Sequence, residues 1–280
     1  VELNMGCSLQ SVPFSLKEGR FLDARSVRKR DELLGREFIS NNYGGGVVIG
    51  YKNSLSVLFE FYDPPYVAEF SLSSLKTGCF KNPLFRSVHG VGCLGVGKYS
   101  PKVDKKLYKL WVGMLERACC VKFKEEYPTY KDVTVCEEWL DFQNFAAWCE
   151  AQEHFFYKDT RGRCYQLDKD ILVKGNKQYS AETCCFVPKD INLLLLRNDG
   201  KRGTLPIGVV YSRCIKRFIS QGKCCGKSKH IGTFKTPEEA FLAYKEAKEI
   251  YVKTVAEEYK SVMSGVVYKA LLEYKVDVDD

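Results

Sequence analysis

The sequence is notable first for what it has little of. Its 280 residues hold no run of about 18 apolar residues, the length needed to cross a bilayer, so no membrane span is expected. The opening residues "VELNMGCSLQ" lack the basic-then-apolar layout of a secretory signal, which points to a cytoplasmic protein. Histidine is scarce, with only His89, His154 and His230. Thirteen cysteines are present, and no two stand in C-x-x-C spacing. The short knuckles of zinc ribbons and fingers are therefore missing, and no zinc is expected. Three adjacent pairs (Cys119–Cys120, Cys184–Cys185, Cys224–Cys225) read as reduced small hydrophobes rather than a disulfide framework.

What is present is ordinary globular composition: 45% hydrophobic, 28% charged, net charge +8. That balance suits a polyanionic partner without requiring one. A cluster "RSVRKR" (Arg25, Arg28, Lys29, Arg30) ends an irregular N-terminal arm, residues 1–33. From 34 to 88, short β-rich runs (Val47–Tyr51, Leu55–Phe61, Val67–Leu72) alternate with Gly, Asn and Pro turns, the pattern of a small antiparallel barrel. Residues 89–103, with Gly90, Gly92, Gly95 and Gly97, read as a linker. Two amphipathic helices follow, "DKKLYKLWVGMLERACC" and "EEWLDFQNFAAWCEAQEHF". A third, from Thr236, has Thr236 as N-cap, Pro237 at the first position and two glutamates in the first turn.

Between the second and third helices lies "CYQLDKDILVKGNKQYSAETCCFVPKDIN". Asp168 and Asp170 stand two apart and share one face of a regular strand, with Lys169 on the other. A turn near Gly175 and Asn176 would bring the chain back, and Asn192 would open a helix as a plausible N-cap. Two carboxylates and an amide can hold a hard divalent cation. The same residues can equally be a hairpin with polar ends.

The order of two aromatic-rich helices, an acidic hairpin and an Asn-led helix resembles the ββα-metal core of phage-encoded HNH homing endonucleases. "YQLDKDILVKGNKQYSAETCCFVPKDIN" and "VTVCEEWLDFQNFAAWCE" carry the likeness. The resemblance implies a core over 104–204 in which Asp168 and Asn192 bind Mg²⁺ or Mn²⁺. Lys169 would stand where the family usually has a catalytic histidine. A protonated lysine cannot accept a proton, so Asp170 or a metal-activated water is the expected base. None of the three histidines falls at a family position.

Between Val209 and His230 the chain carries Arg213, Lys216, Arg217, Lys223, Lys227 and Lys229 and no acidic residue. This region and "IGTFKTPEEAFLAY" after it resemble the DNA-binding fold of plant ethylene-response factors. The resemblance implies a three-stranded sheet plus helix over 205–280, reading double-stranded DNA through Arg213, Lys216, Arg217, Lys223 and Lys229.

The expected fold is thus α+β and multi-domain: a small barrel, a ββα nuclease-like core with flanking helices, and a C-terminal sheet-plus-helix module. The expected activity is metal-dependent DNA hydrolysis by a monomer, with one site suited to nicking one strand. A DNA-binding protein without catalysis is the alternative, and a host-protein-binding factor a third. The N-terminal module could contact nucleic acid or protein.

Overall fold

A computed structural model describes residues 24–195, 205–224 and 227–278. The chain is mixed α+β and divides into two compact units, Val1–Asn82 and Pro83–Asp280. No helix among the described residues is long and apolar enough to cross a membrane.

The first unit opens with α1 (Ala24–Leu33), so part of the expected irregular arm is helical. Four strands follow: β1 (Glu37–Ile39), β2 (Gly45–Asn53), β3 (Ser56–Phe61) and β4 (Tyr66–Phe70). They pair antiparallel in the order β1-β2-β3-β4, an open sheet rather than the expected closed barrel. The alternation of β3 is the reason one face is core: Val57, Phe59 and Phe61 are buried with Val48, Leu72, Leu75 and Phe80, and the intervening residues point outward. β4 stops short of the expected Leu72. Ser71 instead caps α2 (Leu72–Thr77), its side chain accepting from the Ser74 N–H at 3.0 Å.

In the second unit, the stretch read as a linker is part of the core. Val88, Val91 and Leu94 pack against the buried cluster of Leu107, Trp111, Met114 and Phe142. A Cβ at Gly92 would stand 2.5 Å from Leu115 and 2.8 Å from Trp111. Glycine is needed there for backbone to reach the indole, not for flexibility. The helices are α3 (Lys105–Cys119), α4 (Val121–Glu126) and, after β5 (Thr134–Val135), α5 (Phe142–Ala151). α5 begins later than its apolar pattern suggests, because Asp141 accepts the Gln143 N–H at 2.7 Å and sets the start. Trp111 donates its indole N–H to the Trp139 carbonyl at 2.7 Å, tying α3 to the turn before α5.

Next come β6 (Gln166–Asp168), β7 (Gln178–Tyr179), β8 (Cys185–Val187) and α6 (Lys189–Leu194). β6 pairs antiparallel with β8, and β7 runs parallel to β5. Strands β9 (Val209–Ser212), β10 (Arg217–Cys224) and β11 (Lys227–Phe234) form an antiparallel sheet in the order β11-β10-β9. The chain closes with α7 (Pro237–Tyr259) and α8 (Gly265–Leu272).

α7 begins as its sequence indicates, with a capping box between Thr236 and Glu239 and Pro237 in the first turn. Its 23 residues serve two cores. Near its start, Tyr244 lies over the sheet, where a Cβ at Gly208 (φ +79°) would stand 2.1 Å from the ring. Farther along, Val252, Val255 and Ala256 are buried with Cys185, Val187, Ile191, Leu194, Val267 and Leu271. The expected boundary between 204 and 205 is therefore bridged by a shared apolar core, since residues on both sides need the same partners to leave water.

α7 also holds the C-terminal tail. Glu249, largely enclosed, accepts from Lys275 Nζ at 2.9 Å and the Val276 N–H at 3.1 Å, and pairs with Lys245 at 3.2 Å. Burial alone would raise its pKa, but these donors outweigh burial and hold it at about 2, against an ordinary 4.5. A carboxyl whose folded pKa is depressed stabilises the fold above its unfolded pKa and loses that contribution as pH falls toward the folded value. Glu249→Gln should therefore cost about 1–2 kcal/mol at pH 7, with the difference from wild type closing between pH 4.5 and 2. Urea denaturation across that range checks it; a pH-independent difference would mean the charge is not what stabilises.

Candidate metal centre and nucleic-acid interface

The register of β6 against β8 fixes which way each side chain points. Gln166 faces Val187, Leu167 faces Phe186, and Asp168 faces Cys185. Cross-strand partners share a face. Cys185 and Val187 belong to the cluster containing Ile191 and Leu194 of α6, whereas Leu167 and Phe186 belong to the α3–α5 cluster. Gln166 and Asp168 thus project to the α6 side, and the two strands with the following helix form a ββα unit.

Asn192 meets this face. Its Nδ2 donates to Gln166 Oε1 at 2.7 Å, two residues before Asp168 on the same strand. It does not open the helix: Pro188 stands at the N-cap position and Asn192 is the fourth helical residue, its own N–H donating to the Pro188 carbonyl at 3.1 Å. Gln166 is the residue that sequence reasoning missed. The signal available was its i−2 spacing from Asp168, which places both on one face.

Asp168 Oδ1 accepts two backbone N–H groups, from Asp170 at 2.9 Å and Ile171 at 2.8 Å. That closes an Asx turn and ends the strand. Burial, and next the Asp170 charge, push its pKa up to about 6. A cation beside it would relieve both effects.

Lys169 is held by two partners. Its Nζ donates to Asp170 Oδ2 at 3.0 Å and to the Asn176 carbonyl at 3.3 Å. Asn176 returns the contact, its Nδ2 donating to the carbonyls of Lys169 and Gln178, each at 2.6 Å. The pair is a clasp that closes the loop from β6 through Gly175. A turn stands at residues 173–176, where the Asn176 N–H donates to the Val173 carbonyl at 3.0 Å, but it is not the expected hairpin turn: β6 pairs with β8 across the longer loop that contains β7, and β7 pairs with β5. His154, the histidine nearest in sequence to this hairpin, is buried and stacks on Tyr165 at 5.9 Å.

α6 is short and is held at both ends. At its start, Asp190 accepts from Arg163 Nη2 at 2.7 Å and from the Tyr259 hydroxyl at 3.0 Å. The arginine, first among several partners, holds the Asp190 carboxyl below the usual range. Arg163 is itself fixed by Asp159 at 2.6 Å. At the end of α6, Lys248 donates to the Leu194 carbonyl at 2.6 Å, a cation placed at the negative end of the helix. Both Tyr259 and Lys248 come from α7, which therefore runs antiparallel to α6.

Among the described residues no three His, Cys, Asp or Glu side chains gather in a metal cage. The donor set at β6 and α6 is one half-buried carboxylate, a neighbouring exposed carboxylate and side-chain amides. Such a set fits a hard cation that keeps most of its water, as magnesium does, and does not fit zinc.

The expected DNA-reading cations do not share one surface. Arg213 and Lys216 lie in the exposed turn between β9 and β10, with Lys216 at φ +50°. On β10, Ser220 is buried and a Cβ at Gly222 would meet Tyr244 at 3.4 Å, so residues 218, 220 and 222 face α7. Arg217, Ile219 and Gln221 therefore face outward, with His230 opposite Gln221. Lys229 pairs with Gly222 and starts from the helix side, a consequence of the bulge between Ser220 and Gln221. Lys223 lies in β10 opposite Ser228, with its side chain outside the described set.

No protein-family model, curated protein or solved structure matches this chain.

The clasp makes a stability prediction. Asn176→Ala removes both amide donors and should cost about 1–2 kcal/mol in the urea midpoint; no change would mean that the loop is held by other contacts.

Proposed function

We propose that the protein is a DNA endonuclease of the homing type that hydrolyses a phosphodiester bond with help from a divalent cation. The observation that carries this reading is the ββα unit itself, with Asp168, Gln166 and Asn192 on its helix side. Asp168 and Asn192 would hold Mg²⁺ or Mn²⁺, which when bound would polarise the phosphate and stabilise the charge developing on it. Asp168 suits that role because burial and Asp170 make its negative charge costly until a cation arrives. Asn192 contributes a neutral oxygen, its Nδ2 being committed to Gln166. In hydrolysis, water oxygen bonds to phosphorus, the P–O ester bond breaks, and the departing oxygen takes a proton. Asp170, exposed and adjacent, is the chain's own group best placed to receive the proton of the attacking water, while Lys169 secures the loop.

The sheet β9–β11 would hold the duplex, with Arg217 outward and Arg213 and Lys216 at the turn beside it. Helix α7 packs against both the sheet and the ββα unit, which would keep bound DNA in register with the site.

A second reading is a DNA-binding protein without catalysis. It is favoured by Lys169 being locked to Asp170 and by His154 being buried and stacked on Tyr165.

Two outcomes are expected. Supercoiled plasmid carrying the gene's flanking DNA should be nicked with Mg²⁺ and not with chelator, and Asp168→Ala and Asn192→Ala should each lower the rate at least ~100-fold. Intact plasmid with retained band shift selects the binding-only reading. In a salt series, Arg217→Ala should weaken duplex binding and reduce the slope of log K against log salt by about one. Lys229→Ala should change it less; the reverse order would place DNA on the other side of the sheet.

A further inference from the structure

The first unit presents a face that the nuclease reading leaves without a role. The register runs Glu37 to Val47, Val47 to Glu60 and Glu60 to Val67, one straight row across all four strands. These residues share the side opposite the Val57–Phe59–Phe61 core. Next to that row, Gly50 pairs with Leu58 and Leu58 with Glu69; on its other side Ile39 pairs with Gly45. The surface is thus three carboxylates interleaved with Val47, Leu58, Val67 and Ile39, with two glycines leaving shallow gaps. Val67 is 46% exposed and Ile39 77%.

The charge is one-sided. Glu37, Glu60 and Glu69 are the acidic residues of these strands, and Lys52, beside the β2–β3 turn, is their one cation. Among the described residues none of the three carboxylates is in an ion pair; Glu37 accepts from the Tyr62 hydroxyl at 2.6 Å and Glu69 from the Ser56 hydroxyl at 2.8 Å. A chain of net charge +8 that gathers unpaired carboxylates on one apolar face has made that face unlike the rest of itself. Phosphate backbones are repelled by it. Apolar contact flanked by charge complementarity is the pattern of a protein interface.

We propose that the outer face of β1–β4 docks an extended basic polypeptide in which every second residue, the set sharing one face, is by turns a lysine or arginine and an apolar residue. The cations meet Glu37, Glu60 and Glu69, and the apolar side chains lie over Gly45 and Gly50 between Val47, Leu58 and Val67. This is independent of the endonuclease reading and stands whether or not the protein cuts DNA.

The test uses the full chain with labelled Val, Leu and Ile methyl groups and a synthetic peptide repeating Lys-Ser-Val-Ser, which places lysine and valine on one face. Titration should move the methyls of Ile39, Val47, Leu58 and Val67 and leave the Val57 methyls, on the core side, nearly still. Affinity should fall at least ~10-fold in Glu60→Lys/Glu69→Lys and by less in Glu60→Gln/Glu69→Gln, with circular dichroism and melting unchanged. Four results would overturn the proposal: no peptide binding, equal binding of the same peptide with glutamate in place of lysine, a short DNA duplex moving the same methyls, or those methyls shifting with protein concentration alone. The last would make a second copy of the chain the occupant.

Discussion

The candidate site depends on α7 lying antiparallel to α6. A helix of six residues makes too few internal hydrogen bonds to persist alone, and α6 carries Asn192. Tyr259 reaches its first turn through Asp190, Lys248 takes its last carbonyl, and Val252, Val255 and Ala256 cover its apolar side. Without α7, α6 would be left with the Arg163–Asp190 bond and its packing on β6 and β8.

The same helix joins the three-stranded sheet to the ββα unit. Its first half packs under the sheet and its second half under the ββα unit, so the two are joined by a helix rather than a tether. This arrangement burdens α7 with polar contacts inside apolar surroundings. Lys248 is the clearest case: burial pushes its pKa down, and its amine donates to the Leu194 carbonyl at the end of α6.

The two faces of opposite character are separated in the same economical way. Arg213, Lys216 and Arg217 stand on or beside the sheet of the second unit, and Glu37, Glu60 and Glu69 on the sheet of the first. Each sheet is antiparallel with one side buried, so alternation along a strand is enough to assign a charge to a surface. The bulge in β11 shows how little is needed to change that assignment, since one extra residue moves Lys229 to the helix side.

Much of this was legible in the sequence. Thr236, Pro237 and Glu239 specify the start of α7 by local hydrogen bonding alone, and the apolar spacing of Leu107, Trp111 and Met114 specifies α3. The i, i+2 spacing put Asp168 on a strand face. What local pattern could not show was any contact set by packing. Gly92 reads as flexible until Trp111 is seen against it, and nothing near Lys169 in the sequence shows that it clasps Asn176. Asn192 reads as a cap until Pro188 is seen to precede the first turn. Periodicity and capping are decided within a few residues, so the sequence determined the elements. Which side of β6 faces α6, and which cations leave the sheet together, were decided by register and by shared burial between segments far apart in the chain, and only the tertiary structure carries those.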